Sequence, residues 1–123
     1  MNSKEKGDIA IAHGIAYYMG LQHEVLLPIG DKKPYDFIVD DGELKKVQCK
    51  YTSHKTKYGI YKAPLRVMGG NQSYHTAKSY KKGDFDIFFV HTESNDTYAI
   101  PYKAIEGNVN SVALGKKMQK YKI

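Results

Sequence analysis

Cysteine is nearly absent from this 123-residue sequence, and tryptophan is missing altogether. The lone Cys49 excludes an intramolecular disulfide framework and a zinc cluster built from cysteines. No stretch approaches the roughly 20 apolar residues that a membrane span requires. The opening MNSKEKGDIAIAHG carries neither an apolar run of signal-peptide length nor a stop-transfer pattern, so an intracellular protein is expected. No Walker-type or GxGxxG loop is present, which argues against a nucleotide cofactor. Repeats, low-complexity tracts and Pro/Gly/Ser linkers are also missing. At 13.9 kDa, with 41% hydrophobic residues, the chain is expected to fold as one domain over residues 1–123.

Acidic residues are missing from one long stretch. Residues 44–82 hold ten cations and no anion, whereas residues 1–43 carry eight acids against four bases. The last eight residues add Lys116, Lys117, Lys120 and Lys122. A one-sign segment of this length requires either an anionic partner, most commonly nucleic acid, or a fully solvated face.

Hydrophobic spacing predicts a helix over Asp8–Met19, from Ile11, Ile15 and Met19, with Gly20 as its stop. Glu24–Pro28, Asp36–Asp40 and Leu44–Tyr51 read as strands, the last two forming a hairpin around Asp41–Gly42. Alternation within the third strand separates Val47, Cys49 and Tyr51 from Lys46, Gln48 and Lys50. Lys55–Arg66 reads as an extended pair of strands, and Gly69–Lys82 as a loop with a short helix. Asp86–His91 is the most apolar run and is expected to be a central strand, with Tyr98–Pro101 its partner across Ser94–Asn95–Asp96. A short helix closes the chain around Val112–Tyr121. Helix, three strands and a mixed tail define an α/β domain with a mixed sheet.

The hairpin brings chemistry together. Asp36 opens one strand, and Gln48 and Lys50 share a face of the next. A carboxylate beside an amide or carbonyl oxygen is a hard ligand set suited to Mg²⁺. A neighbouring ammonium can orient water or stabilise a phosphate, which suits metal-assisted phosphodiester hydrolysis. The alternative is structural: Asp36 caps a turn after Pro34–Tyr35, while Gln48 and Lys50 form the polar face of a strand.

Pro34-Tyr35-Asp36 followed by Gln48-Cys49-Lys50 resembles the signature of the PD-(D/E)XK nucleases, in the variant where glutamine replaces the acid of the last triplet. The flanks agree: a Lys6-Gly7-Asp8 helix, Glu24–Pro28, then Phe85-Asp86-Ile87-Phe88 and Tyr98-Ala99-Ile100-Pro101. The resemblance spans about residues 6–105 and is greatest to small intron-homing endonucleases, more distantly to Holliday-junction resolvases. It implies a restriction-endonuclease-like core of mixed sheet flanked by helices, acting on double-stranded DNA. It further implies that Asp36 and Gln48, with a backbone oxygen at Cys49, hold Mg²⁺ or Mn²⁺, and that Lys50 is the catalytic lysine. Such a chain would be nucleoid-associated or encoded by a phage or mobile element.

One position departs from the family. Where these proteins place a glutamate on the first helix, four residues after Gly7, this chain has Ile11. Asp8 or Glu5 is the candidate substitute, although Asp8 is also a favourable first-turn acid. Without a substitute, the fold would bind DNA and cut poorly.

Lys55, Lys57, Lys62 and Arg66 interleave with Tyr51, Tyr58 and Tyr61, a pattern suited to phosphate contacts and stacking. A DNA-contacting segment is therefore expected at about 51–82, extended by Lys78, Lys81 and Lys82. The competing reading is a solvated hairpin whose tyrosines pack on the core. Both strands of a duplex require two sites, which favours a homodimer or homotetramer. His13, His54, His75 and His91 lack zinc-ligand spacing. Cys49 points to the opposite sheet face and reads as a small core residue.

Overall fold

The computed structural model describes residues 1–30, 32–68 and 77–123, with backbone alone over 66–68 and 77–79. The elements are α1 (Ser3–Gly20), β1 (Glu24–Leu26), β2 (Phe37–Asp40), β3 (Leu44–Thr52), β4 (Lys62–Pro64), β5 (Arg66–Met68) and β6 (Ala77–Ser79). They continue with β7 (Ile87–Thr92), β8 (Thr97–Pro101), α2 (Tyr102–Ile105), β9 (Ser111–Ala113) and a 3₁₀ helix, Lys116–Tyr121.

The helix α1 begins before the expected Asp8 because Asn2 caps it. The Asn2 side chain accepts the Glu5 N–H at 2.9 Å, and the Asn2 N–H donates to Glu5 Oε1 at 3.1 Å, a reciprocal capping box.

Five strands form a mixed sheet in the order β1-β2-β3-β7-β8. β1, β2 and β3 pair antiparallel, as the Asp41–Gly42 turn predicts, and Gly42 takes a φ of 108° there. β3 and β7 pair parallel from Val47↔Ile87 to Thr52↔Thr92. Asp86 locks that register: its carboxylate accepts the Lys46 N–H at 2.8 Å, and its own N–H donates to the Lys46 carbonyl at 2.9 Å. The centre of the sheet is β3, with the very apolar β7 beside it.

Each sheet face buries its own cluster. On one, α1 lays Ala10 and Tyr18 over Phe37, Val39, Val47, Cys49 and Phe89. Close approach depends on Gly14, where a Cβ would stand 2.9 Å from Phe37 Cζ and 3.2 Å from Cys49 Sγ. On the other, Phe88, Val90, Tyr98 and Ile100 pack under Ala63, Leu65, Val112 and Leu114.

The tail and the middle segment differ from expectation. Residues 112–121 do not form one helix; Ser111–Ala113 pairs as β9 with β4, and only Lys116–Tyr121 turns, as 3₁₀. Lys55–Arg66 is not a self-paired arm: a single Lys55↔Tyr61 bridge closes a turn, and β4 takes β9 as its partner. Within the expected loop and helix of Gly69–Lys82, Ala77–Ser79 is a strand paired with β5, and residues 69–76 lie outside the described residues.

Candidate active site

Asp36 stands one residue before β2. Its N–H donates to the Val47 carbonyl at 2.8 Å, which extends the β2–β3 register one step and sets Asp36 beside Gln48. Because alternate side chains share a face, Asp36, Gln48 and Lys50 all project away from α1. The Asp36 carboxylate accepts the Cys49 N–H at 2.7 Å. Gln48 is only 8% exposed and donates its Nε2–H to the Cys49 carbonyl at 3.0 Å, fixing the amide across the strand.

The Lys50 ammonium lies 5.5 Å from the centroid of the Tyr80 ring, which in turn meets Phe85 edge-on at 5.0 Å. Nothing in the spacing signals Tyr80, because it arrives from the far side of the β3-to-β7 crossover.

Burial dominates the electrostatics. It pushes the Asp36 carboxyl above its ordinary range, while the Cys49 N–H and Lys50 pull in the opposite direction. Burial also lowers the Lys50 ammonium, which the charge of Asp36 partly offsets. Tyr80 is raised by burial first, then by the charges of Asp36 and Asp84.

The donor set is hard and all-oxygen: the Asp36 carboxylate, the Gln48 amide and the Cys49 carbonyl. A desolvated carboxylate with incomplete compensation fits a divalent cation that keeps waters and takes the rest of its shell from phosphate oxygens. Cys49 contributes no sulfur to it. Its thiol is buried on the α1 side, where burial raises it well above the ordinary range.

The other acids lie elsewhere. Glu5 is held by the capping box, and Asp8 is exposed and paired with Lys4 at 3.5 Å. Ile11 is half-buried and packs with the cluster between α1 and the sheet. Among the described residues no group of three or more His, Cys, Asp or Glu gathers to hold a metal.

A family model for PD-(D/E)XK endonucleases matches residues 1–122. The chain belongs to the PD-(D/E)XK endonuclease family. It is also similar to a bacterial homing endonuclease of known structure, I-Ssp6803I. That match has a TM-score of 0.80 at 29% identity, covering 94% of this chain and 80% of the other. No curated protein sequence matches it. The mixed sheet and flanking helices are therefore the PD-(D/E)XK fold, and no helix among the described residues is long and apolar enough to cross a membrane.

Around this PD-(D/E)XK core the basic residues take several positions. The Lys55 ammonium lies 4.8 Å from the Tyr61 ring centroid, and Lys57 5.1 Å from that of Tyr58, which is 76% exposed. Lys62 is exposed on β4, and Lys81 and Lys82 are exposed before β7. Arg66 and Lys78 belong to the β5–β6 hairpin, opposite Ser79 and Val67. His13 stacks on His91 at 3.8 Å, His54 is exposed, and His75 lies outside the described residues.

Proposed function

We propose that this chain is a divalent-metal-dependent endonuclease of the homing type, hydrolysing phosphodiester bonds in double-stranded DNA. The observation that carries the reading is the side-by-side placement of Asp36 and Gln48, with Lys50 on the same sheet face, in a desolvated setting within a PD-(D/E)XK chain. Asp36, the Gln48 amide oxygen and the Cys49 carbonyl would hold Mg²⁺ or Mn²⁺. When bound, such an ion supplies positive charge against the scissile phosphate and Lewis-acid activation of water. Lys50 orients the attacking water or stabilises phosphate charge, and burial, by lowering its pKa, makes proton exchange at Nζ easier. Lys55, Lys57, Tyr58, Lys62, Arg66, Lys78, Lys81 and Lys82 supply the phosphate-facing surface. Two strands need two sites, so the active species is a homodimer or homotetramer.

Ile11 supports a second reading, a DNA-binding protein of reduced cleavage, because it occupies the helix face with a hydrocarbon while Asp8 pairs with Lys4 and Glu5 closes the capping box. The test is incubation with linear duplex and with a four-way junction, in Mg²⁺ and in excess chelator, using the wild type and Asp36→Asn. The reading expects duplex cleavage that chelation abolishes and that Asp36→Asn lowers by about 10²–10³. Cleavage in chelator, or full activity of Asp36→Asn, contradicts it. Preference for the junction would instead indicate a resolvase.

A further inference from the structure

The end of the chain returns to its basic middle. β9 joins β4 in the register Lys62↔Ala113, and the Leu114 N–H donates to the Tyr61 carbonyl at 2.8 Å. Ile60 lies within van der Waals reach of Gly115, its Cδ1 3.8 Å from where a Cβ would stand. Lys116 and Lys117 follow immediately, both exposed. The fold thereby sets them beside Lys55, Lys57 and Lys62, although they are remote in sequence.

Charge then poses a question. Among the described residues, Lys4, Lys45 and Lys122 each have a carboxylate within 4 Å, whereas none of these five lysines does. Gathering cations without anions raises self-repulsion, which an anionic partner relieves. Lys116 and Lys117 also line an open cleft of about 410 Å³, with Asn108 and Ala113, large enough to admit a backbone phosphate.

The location fits one partner. β4, β9 and Met118 of the 3₁₀ helix pack on the sheet face from which Gln48 and Lys50 project, opposite α1. A duplex lying over that face would meet both basic rows. We propose that Lys116 and Lys117 form a second phosphate-contacting row beside Lys55, Lys57 and Lys62, gripping the DNA backbone without reading its sequence. This inference rests on the endonuclease reading and extends its DNA surface to the chain's last residues.

The experiment is binding to a short duplex of arbitrary sequence over a range of salt, in calcium to suppress cleavage. The proteins compared are the wild type, Lys116→Gln/Lys117→Gln, Lys116→Arg/Lys117→Arg, Lys55→Gln/Lys57→Gln and Lys4→Gln. Each lost phosphate contact reduces the slope of log K against log salt by about 0.9. The Lys116→Gln/Lys117→Gln slope should therefore be about two units shallower than wild type, equally for unrelated sequences. The ratio of wild-type to variant affinity should fall about twelvefold between about 50 and about 200 mM salt. Lys4→Gln should leave the slope unchanged, and Lys116→Arg/Lys117→Arg should retain it. A wild-type slope in Lys116→Gln/Lys117→Gln overturns the inference. If Lys55→Gln/Lys57→Gln is shallower in that same series, the endonuclease reading survives the failure. A wild type that binds no duplex at low salt overturns both.

Discussion

His91 shows how burial sets chemistry at the level of one side chain. It is 3% exposed, its Nδ1 lies 2.9 Å from Thr97 Oγ1, and His13 stacks on it at 3.8 Å with an interplanar angle of 15°. Burial first, and the charge of His13 second, depress the imidazole below its ordinary 6.5, while Asn95 and Asp96 pull the other way. The unfolded chain therefore takes up the proton first. Stability from this group is full above pH 6.5 and is lost as pH falls through the depressed folded value. Urea midpoints measured from pH 7.5 down to pH 5 should fall, and His13→Gln should fall less, because one depressing cause is gone. An unchanged pH slope in His13→Gln contradicts this account. The same burial logic governs Asp36 and Lys50, and here the sequence was legible: two-residue alternation and the Asp41–Gly42 turn suffice to bring them to one face. Tyr80 was not legible, since no local pattern links it to Lys50. The fate of Asp8 was equally hidden, because only the packed helix shows that Ile11 faces the sheet while Asp8 pairs outward with Lys4.

Two glycines on α1 make opposite demands on the element that carries them. Nothing lies within 4 Å of a Cβ built at Gly7, but at Gly14 it would stand 2.9 Å from the buried Phe37 ring. Alanine at Gly7 should stabilise by about 0.5–1 kcal/mol through helix propensity alone. At Gly14 the same change should cost about 1–3 kcal/mol of overpacking, more than propensity returns. Thermal melts of Gly7→Ala and Gly14→Ala should therefore shift in opposite directions, and a shift of the same sign contradicts the packing described. Strands with strong local cues, β2, β3, β7 and β8, were legible within a residue or so. The tail was not: Val112 and Leu114 sit at alternating spacing too short to outweigh the following Lys/Met/Gln run, so a helix was expected where β9 forms. Its partner, β4, lies across the chain, and only tertiary packing makes that pair.

For the whole molecule, a net charge of +6 conceals a segregation that the fold sharpens. β4, from the acid-free middle, and β9, just before the lysine-rich tail, are separate in sequence but pair on the sheet face that carries Asp36, Gln48 and Lys50. The parallel pairing of β3 with β7 permits this, because the long crossover between them delivers β4 to that face, opposite the one that α1 covers. The sign and segregation of the charge are readable from composition, whereas the pairing of β4 with β9 is not. The most direct measurement is plasmid cleavage in Mg²⁺ or Mn²⁺ by the wild type, Lys50→Ala and Ile11→Glu. The account predicts nicking or cutting by the wild type and its loss in Lys50→Ala, whereas cutting by Ile11→Glu alone would favour the reading of reduced cleavage. Cleavage by Lys50→Ala at the wild-type rate, or none by any of the three, would contradict it.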